Sequence, residues 1–136
     1  CEDGEYFIHE HAVESSVFVI LEGSCAVMVQ QDEREAYVAT LGPGRMVGEA
    51  AVFTNYPRTA GVVSKGVSRL LSFERTDFLR VLRREPAAGM RVLFVMVHNL
   101  LGKLREVNLE LAFERRENVD QGDIDSLINS LMNEND

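Results

Sequence analysis

Glu49 and Arg58 are the residues whose types and spacing first suggest chemistry. They lie nine residues apart in GEAAVFTNYPRTAGV (48–62), where the other side chains are mostly small or apolar. A planar guanidinium matches phosphate oxygens and supplies the one positive charge that balances a phosphodiester. A carboxylate repels that phosphate, so we expect Glu49 to accept a hydrogen bond from a neutral hydroxyl, such as a ribose 2′-hydroxyl. The pair predicts a site for a sugar phosphate.

The residues around this pair predict that the main chain also binds the phosphate. Gly48 to Phe53 can form one helical turn after a strand that ends near Val47, and the first N–H groups of such a turn are unpaired and attract anions. Small residues let a ligand approach the backbone closely, and they are Ala50, Ala51, Ala60 and Gly61. The alternative is a structural salt bridge between Glu49 and Arg58 that joins a loop to a strand.

Length and composition limit the possible functions. A chain of 136 residues fits one domain, or one domain with an appendage. Its 46% hydrophobic and 26% charged residues are ordinary for a soluble globular protein. No apolar run approaches the roughly 20 residues of a membrane span, so no membrane partner is expected. The net charge of −8 and a tail without Lys or Arg (118–136) argue against a nucleic-acid partner.

The two cysteines, Cys1 and Cys25, are far apart and have no CxxC spacing. They build neither a disulfide framework nor a cluster of metal thiolates, and a reducing cytoplasm is the predicted location. The chain opens without an initiator Met or a signal-peptide pattern, so we expect it to be a piece of a longer protein.

The first half of the chain predicts short strands, because β-branched and aromatic residues recur between turn residues. Turn residues occupy 21–24, 31–33, 42–44 and 65–66. The strands are EYFIH, SVFVIL, CAVMVQ, EAYVATL, RTAGVVS and SRLLSF. Strands at this close and even spacing are typical of a β-sandwich or a jelly roll.

Two helices are predicted after Phe73. Thr76 can cap a short helix, DFLRVLRR, which ends before Pro86, and a long helix then runs to about Arg116. A heptad seam follows that helix at Met90, Phe94, Val97, Leu101, Leu104, Asn108 and Leu111. The seam predicts a homodimer through the long helix, 86–116. The alternative is that the whole apolar stripe packs inside one chain.

A specific pattern surrounds the Glu49–Arg58 pair. The stretch resembles the phosphate-binding cassette of the cyclic nucleotide-binding domain, the module of protein kinase A regulatory subunits, nucleotide-gated channels and catabolite-activator-type regulators. The matching residues are Gly48, Glu49, Pro57, Arg58, Thr59 and Ala60. The resemblance extends over about residues 4–113 and includes a central hairpin with Gly23 at its turn. One departure is His11, near a position where family members often carry a glycine.

This resemblance implies a fold and a function. The fold is mainly β with C-terminal helices: an antiparallel β jelly-roll (double-stranded β-helix) in 1–75, then a short helix and a long helix in 76–118, and an acidic tail in 119–136. The function is to bind cAMP, possibly cGMP, and to relay occupancy through the helices. We find no nucleophile–base pair or carboxylate dyad, so no catalysis and no metal or cofactor are predicted.

The resemblance also assigns roles to residues. Glu49 holds the ribose 2′-hydroxyl and Arg58 the cyclic phosphate, with N–H groups of Glu49, Ala50 and Thr59 contributing. Thr59 can also meet the amino group of a guanine, although cAMP is favoured because more of the family binds it. Three valines are either apolar walls of the pocket or ordinary core: Val27, Val38 and Val47. Asn108 either reaches the base or occupies the helical seam.

Two rival classes of protein can be compared with this prediction. Gly4, His9, His11, Glu14 and Gly23 imitate half of the metal motif of a cupin-type jelly-roll enzyme, but the next histidine is His98, on the long helix. A transcription factor would need a basic helix-turn-helix after the long helix, and only about 16 acidic-tail residues remain.

The tail carries a pattern of its own. In QGDIDSLINSLMNEND, four apolar residues follow helical spacing and predict a short amphipathic helix: Ile124, Leu127, Ile128 and Leu131. It resembles the N-terminal segment of the bacterial flagellar switch protein that docks a phosphorylated response regulator. A protein partner at 120–136 is therefore one expectation, and a helix that is packed or frayed is the other.

Overall fold

Antiparallel strand pairing organises the first half of the molecule. The computed structural model describes residues 1–133, with side chains described for residues 1–116, 126, 129 and 130. One five-stranded sheet has the order β1-β5-β2-β3, with β4 also paired to β2, and every pairing is antiparallel. The strands are β1 (Tyr6–Ile8), β2 (Ser16–Gln31), β3 (Arg34–Leu41), β4 (Met46–Val47) and β5 (Gly61–Glu74). The prediction of a mainly β fold followed by helices is confirmed.

Two strands continue where the sequence predicts turns. β2 passes through 21–24 and β5 passes through 65–66, so the expected hairpin turn at Gly23 is wrong. The register between the two strands instead shifts on both sides of Glu22, as at a β-bulge. Gly23 has φ +86°, and a Cβ there would lie 2.5 Å from the Ser68 Oγ. Glycine therefore allows β2 to bend against β5 without leaving the sheet.

The helices are α1 (Ala50–Phe53), α2 (Arg75–Arg84) and α3 (Pro86–Asn133). Thr76 does not cap α2, because Glu74 is the N-cap residue and forms a reciprocal capping box with Asp77. Pro86 begins α3, as predicted, where its missing N–H costs no helical hydrogen bond. α3 continues beyond Arg116, the predicted end, because no proline interrupts it there.

Two apolar clusters form the core. The first lies within the sheet and contains Ile8, Ile20, Cys25, Leu41, Val47 and Val62. The second joins the sheet to all three helices and contains Val17, Met46, Val52, Phe78 and Met96. Because Met96 is fully buried, the first turns of α3 belong to the same core as α1 and α2.

The chain divides into two compact units, Cys1–Asn99 and Leu100–Asp136. The first unit contains the sheet, α1, α2 and the beginning of α3. The second contains the rest of α3. The predicted face formed by Ile124, Leu127, Ile128 and Leu131 concerns side chains outside the described set.

One segment, Pro86–Arg116, is long and apolar enough to cross a membrane by length and composition alone, because an 18-residue window within it has a mean hydropathy of 1.2. The sequence analysis expected no such segment. Met96 within it is fully buried among core residues of the first unit, and a core helix passes the same test. The absence of a membrane partner stays a prediction.

Candidate functional site

The cassette, residues 48–61, connects the end of β4 to the start of β5 and contains α1. Ala51 and Val52 are buried, so one side of this single turn packs on the core. The N–H of Ala51 donates to the Gly48 carbonyl at 3.0 Å, and that of Val52 donates to the Glu49 carbonyl at 3.1 Å. The prediction that the first N–H groups of the turn are unpaired is wrong for these two residues, because the turn closes on its own carbonyls.

Gly48 brings the main chain against Arg58. Its φ is +81°, a left-handed conformation that favours glycine. A Cβ at this position would lie 2.6 Å from Nη1 of Arg58 and 2.9 Å from the carbonyl oxygen of Ser16. Any larger residue would therefore occupy the place of the guanidinium.

Arg58 is buried, with only 8% of its surface exposed. Its Nη1 donates to the Gly48 carbonyl at 3.2 Å, and its Nη2 donates to the Ser16 carbonyl at 2.5 Å. Its Nε–H is also buried, and no partner for it is found among the described residues. A buried donor without an acceptor is costly, and here it belongs to a cation. The Nε–H of Arg58 is therefore a candidate donor to an anionic ligand.

The electrostatic surroundings of Arg58 combine burial with distant carboxylates. Burial lowers the pKa of Arg58, whereas the negative charges of Glu14, Glu74 and Glu49 raise it. Arginine remains charged in proteins despite such burial. Because the side chain donates to main-chain carbonyls rather than to a carboxylate, the alternative of a Glu49–Arg58 salt bridge does not describe its contacts.

Glu49 is the N-cap residue of α1, and only 2% of its surface is exposed. The side-chain amide of Asn99, on α3, donates to Oε1 of Glu49 at 2.7 Å and to the Met46 carbonyl at 3.0 Å. A hydrogen bond to a carboxylate is stronger than one between neutral groups. Asn99 therefore connects α3 to Met46 in β4 and to Glu49 at the start of α1.

Ser16 and Glu74 connect Arg58 to the start of α2. Arg58 binds the Ser16 carbonyl, and the Ser16 hydroxyl donates to Oε1 of Glu74 at 2.6 Å. Ser15 donates to the other carboxylate oxygen of Glu74 at 2.5 Å. These two hydroxyl bonds lower the pKa of Glu74. Since Glu74 caps α2, the position of Arg58 is linked to the first turn of that helix.

Arg75, the first residue of α2, holds the C-terminal end of α1. Its Nε donates to the Ala51 carbonyl at 3.0 Å, its Nη2 to the Thr54 carbonyl at 2.6 Å, and its Nη1 to Oδ1 of Asn55 at 2.7 Å. Carbonyl groups at a helix end lack partners within the helix and attract cations. One arginine thus fastens the middle of the cassette to α2.

The loop around His11, where the sequence departs from the pattern of the cassette family, is joined to the cassette by main-chain hydrogen bonds. The N–H of His11 donates to the Arg58 carbonyl, and the N–H of Arg58 donates to the Ala12 carbonyl, both at 2.8 Å. His11 has φ +67°. A glycine would adopt this left-handed conformation without strain, whereas here a histidine adopts it.

The remaining predicted site residues differ in how deeply they are buried. Val27 and Val47 belong to or pack on the first core cluster. Val38 is 55% exposed and is the extra residue of a β-bulge, because Val27 pairs with Ala39 and Met28 pairs with Tyr37. Of the small cassette residues, Ala51 is buried, Ala60 is partly buried, and Ala50 and Thr59 are exposed.

Asn108 is exposed and lies in the second unit, so its two predicted roles stay predictions.

The two histidines of the cupin alternative are exposed. Nε2 of His11 lies 3.8 Å from a carboxylate oxygen of Glu10. Within the described part of the chain, no three His, Cys, Asp or Glu residues are grouped so that they could hold a metal ion. The cupin alternative therefore has no support.

Two cavities lie away from the cassette charges. The larger, of about 560 Å³, is lined by residues of β1, β2 and β5 that include Phe7, Phe18 and Leu70. The smaller, of about 260 Å³, includes Tyr6, Glu10 and Glu35. Neither is lined by Glu49 or Arg58, so cavity size alone would not find the candidate site.

Sequence reasoning missed Asn99, Arg75 and Ser16. Asn99 follows the buried Met96 by three residues, which places both on one face of α3. A polar residue on that apolar face was therefore an available signal. Arg75 and Ser16 carry no such signal, because the contacts that link them to the cassette involve mainly main-chain carbonyl groups, which every residue possesses.

Comparison with known proteins identifies the family of this chain. The family model of the cyclic nucleotide-binding domain matches residues 1–85. A curated relative, the cAMP-dependent protein kinase type II regulatory subunit of Drosophila melanogaster, is 33% identical over 82 residues. That match covers 60% of this chain but only 22% of the relative, so the chain spans about a fifth of that protein.

Two solved structures are similar in fold. A cyclic nucleotide-binding domain from Methylobacillus flagellatus matches with a TM-score of 0.74 and 21% identity, over 78% of this chain and 60% of that one. The catabolite activator protein of Thermus thermophilus matches with a TM-score of 0.65 and 25% identity, over 83% of this chain and 52% of that one. These likenesses bear out the predicted jelly-roll with C-terminal helices.

Proposed function

This chain belongs to the cyclic nucleotide-binding domain family, and we propose that it is a sensor that binds cAMP, in preference to cGMP, at Glu49 and Arg58. The observation that carries the proposal is the buried Arg58 guanidinium, 8% exposed, whose Nε–H has no partner among the described residues. A cyclic phosphate carries one negative charge and offers two outer oxygens. It can neutralise this cation and accept from the unpartnered donor.

The geometry around Arg58 supports the binding of an anion. Two main-chain carbonyls hold the outer nitrogens of the guanidinium, which leaves its Nε edge as the edge that meets the ligand. Burial strengthens the attraction between this cation and an anion, because fewer waters screen it. The absence of a side chain at Gly48 leaves room for the guanidinium, because a Cβ there would lie 2.6 Å from Nη1.

Glu49 recognises the sugar in this proposal. A buried carboxylate next to a phosphate site can bind a ligand hydroxyl but repels a second anion. A ribose 2′-hydroxyl meets this requirement, and a 2′-deoxyribose does not. The proposed ligand is therefore a ribonucleoside cyclic phosphate.

The choice of cAMP over cGMP is argued from a relative's name and from Thr59. The Drosophila relative is named as a subunit of a cAMP-dependent kinase. Thr59 is exposed, and its hydroxyl could serve either a guanine amino group or the phosphate. Comparing the two nucleotides directly decides between them.

The relay of occupancy is proposed to run through the contacts that join the cassette to the helices. Arg75 holds α1 against α2, and Ser16 with Glu74 joins Arg58 to the N-cap of α2. A ligand can shift the helices only if it changes these contacts between the free and bound states. No catalytic step is proposed.

Isothermal titration calorimetry with cAMP and cGMP tests the proposal on the purified chain. We expect one site per chain, with cAMP bound more tightly than cGMP. A tighter cGMP complex would reverse the choice of base and leave the site intact. A chain that binds neither nucleotide, while circular dichroism shows it folded, would refute the function.

A further inference from the structure

The side chain of Asn99, on α3, contacts Glu49, the carboxylate proposed to bind the ligand. It is partly buried and lies one turn beyond Met96, which is fully buried beside Met46 and Val52. The packing of Met96 therefore fixes the face of α3 that carries Asn99 against the cassette. The amide is held in place by this packing and not only by its own hydrogen bonds.

The orientation of the Asn99 amide follows from its partners. Both partners are acceptors, the Met46 carbonyl at 3.0 Å and Oε1 of Glu49 at 2.7 Å. Only the NH₂ group of the amide can donate to both, since the amide oxygen has no hydrogen. Both N–H groups of the amide are therefore used. The bond to Met46 attaches the amide to strand β4, and this attachment fixes the direction of the N–H that binds Glu49.

Glu49 needs such an anchor to recognise a hydroxyl. It lies directly after Gly48, whose φ of +81° turns the chain out of β4. A glutamate side chain has several rotatable bonds, and holding it in one orientation before the ligand arrives reduces the entropy lost on binding. The bond from Asn99 is one contact that orients this carboxylate within the first unit.

We propose that Asn99 is a positioning residue for sugar recognition: it acts through Glu49 and makes the site discriminate between ribose and 2′-deoxyribose. This inference rests on the proposed function, because it assumes that Glu49 binds the 2′-hydroxyl. It differs from a structural role in one measurable respect. A structural role supports every ligand equally, whereas positioning of Glu49 supports only ligands that possess the hydroxyl.

The test is calorimetry with cAMP and 2′-deoxy-cAMP on the wild type and on Asn99→Ala. We expect Asn99→Ala to weaken cAMP about tenfold, the effect of losing one hydrogen bond to a charged group. It should weaken 2′-deoxy-cAMP less than about twofold, so that the preference for cAMP nearly disappears. His98→Ala, at an exposed neighbouring position, is the matched control and should leave both affinities unchanged.

Two further results separate the possible failures. A wild type that binds neither nucleotide refutes the proposed function, and the inference falls with it. A wild type that prefers cAMP to 2′-deoxy-cAMP, with the same preference retained in Asn99→Ala, refutes the role of Asn99 alone. Equal weakening of both ligands also refutes it, in favour of a structural role.

A second variant keeps the test decisive if Asn99→Ala misfolds. If Asn99→Ala does not fold, Asn99→Leu keeps the approximate size of the side chain, removes both donors and adds no charge beside Glu49. It should lose the preference for cAMP in the same way. Retention of the full preference by folded Asn99→Leu would overturn the inference.

Discussion

The charge of Arg58 is the residue-scale feature on which ligand affinity depends. We expect Arg58→Ala to weaken cAMP by about 30-fold or more, roughly 2–5 kcal/mol, because the phosphate would be buried without its counter-charge. Arg58→Lys should recover only part of this loss, since an ammonium group lacks the planar fork of a guanidinium. Calorimetry gives both affinities.

The control for this prediction is Arg34→Ala, which removes an exposed arginine of β3 and should leave binding unchanged. Circular dichroism should confirm that each variant is folded, because Arg58 also binds two main-chain carbonyls. A folded Arg58→Ala chain with wild-type affinity would contradict the assigned role.

Gly48 offers a second residue-scale prediction. Gly48→Ala should lower the free energy of unfolding by about 1–3 kcal/mol, because a non-glycine residue is strained at positive φ. It should also weaken cAMP, since the new Cβ would lie 2.6 Å from Nη1 of Arg58. Urea denaturation and calorimetry measure the two effects.

Gly44→Ala is the matched control for Gly48→Ala. Gly44 has φ +84°, but a Cβ there would meet no atom within 4 Å. It should therefore share the loss of stability and keep the affinity for cAMP. If both variants lose affinity equally, the close contact between Gly48 and Arg58 has no role in binding.

At the scale of elements, Arg75 holds α1 onto α2. We expect Arg75→Ala to lower the free energy of unfolding by about 2 kcal/mol, because three acceptors at the end of α1 lose a charged donor. Urea denaturation checks this value. Arg91→Ala, at an exposed position of α3, is the control and should change stability little. Equal stability of the two variants would show that the hydrogen bonds from Arg75 to the end of α1 contribute little to the free energy of unfolding.

The N-cap of α2 predicts a dependence of stability on pH. Hydrogen bonds from Ser15 and Ser16 lower the pKa of Glu74 in the folded state below its ordinary value of 4.5. The carboxylate therefore stabilises the fold above that ordinary value, and its contribution is lost as the pH falls through the lowered pKa. Glu74→Gln should be less stable than wild type at pH 7, and the difference should shrink in strongly acidic solution.

Thermal unfolding at pH 7, 5, 4 and 3 measures this difference. Glu110→Gln changes an exposed glutamate of α3 and should show no comparable convergence with wild type. A difference between Glu74→Gln and wild type that stays constant down to pH 3 would contradict the proposed contribution of the charge.

At the scale of the whole molecule, the long helix predicts self-association. Within the first unit, Met90, Phe94 and Val97 are 47%, 68% and 42% exposed. Within the second, Leu101 and Leu104 are 60% and 56% exposed. Apolar surface of this extent favours a partner, and the heptad spacing favours a second copy of the same helix.

Light scattering tests this dimer. We expect the wild type to have twice the mass of one chain, and Leu101→Glu to shift it to the mass of one chain, because a charge would be buried in the seam. Leu109→Glu, which is 61% exposed but lies outside the seam, is the control and should leave the dimer intact. A monomeric wild type would contradict the prediction.

Local sequence determined most of the strand positions, the place of α1 and the pair of residues proposed to bind the ligand. Glu49 and Arg58 lie within one cassette, where glycine, small residues and proline form a contiguous pattern that can be recognised without the fold. Strand ends were less predictable, because Gly23 and Gly66 are turn residues by type but lie within β2 and β5, where pairing with the neighbouring strand continues. The cap of α2 was also misassigned, since Glu74 and Asp77 cap it reciprocally and Thr76 does not.

Only the tertiary structure decided which residues support the pair. Ser16 is 42 residues from Arg58 in sequence, and Asn99 is 50 residues from Glu49, yet each makes a direct hydrogen bond to its partner. A residue's type and spacing show which chemistry it can perform. Contacts between distant residues depend on how β2, α2 and α3 pack around the cassette, and no local pattern specifies that packing.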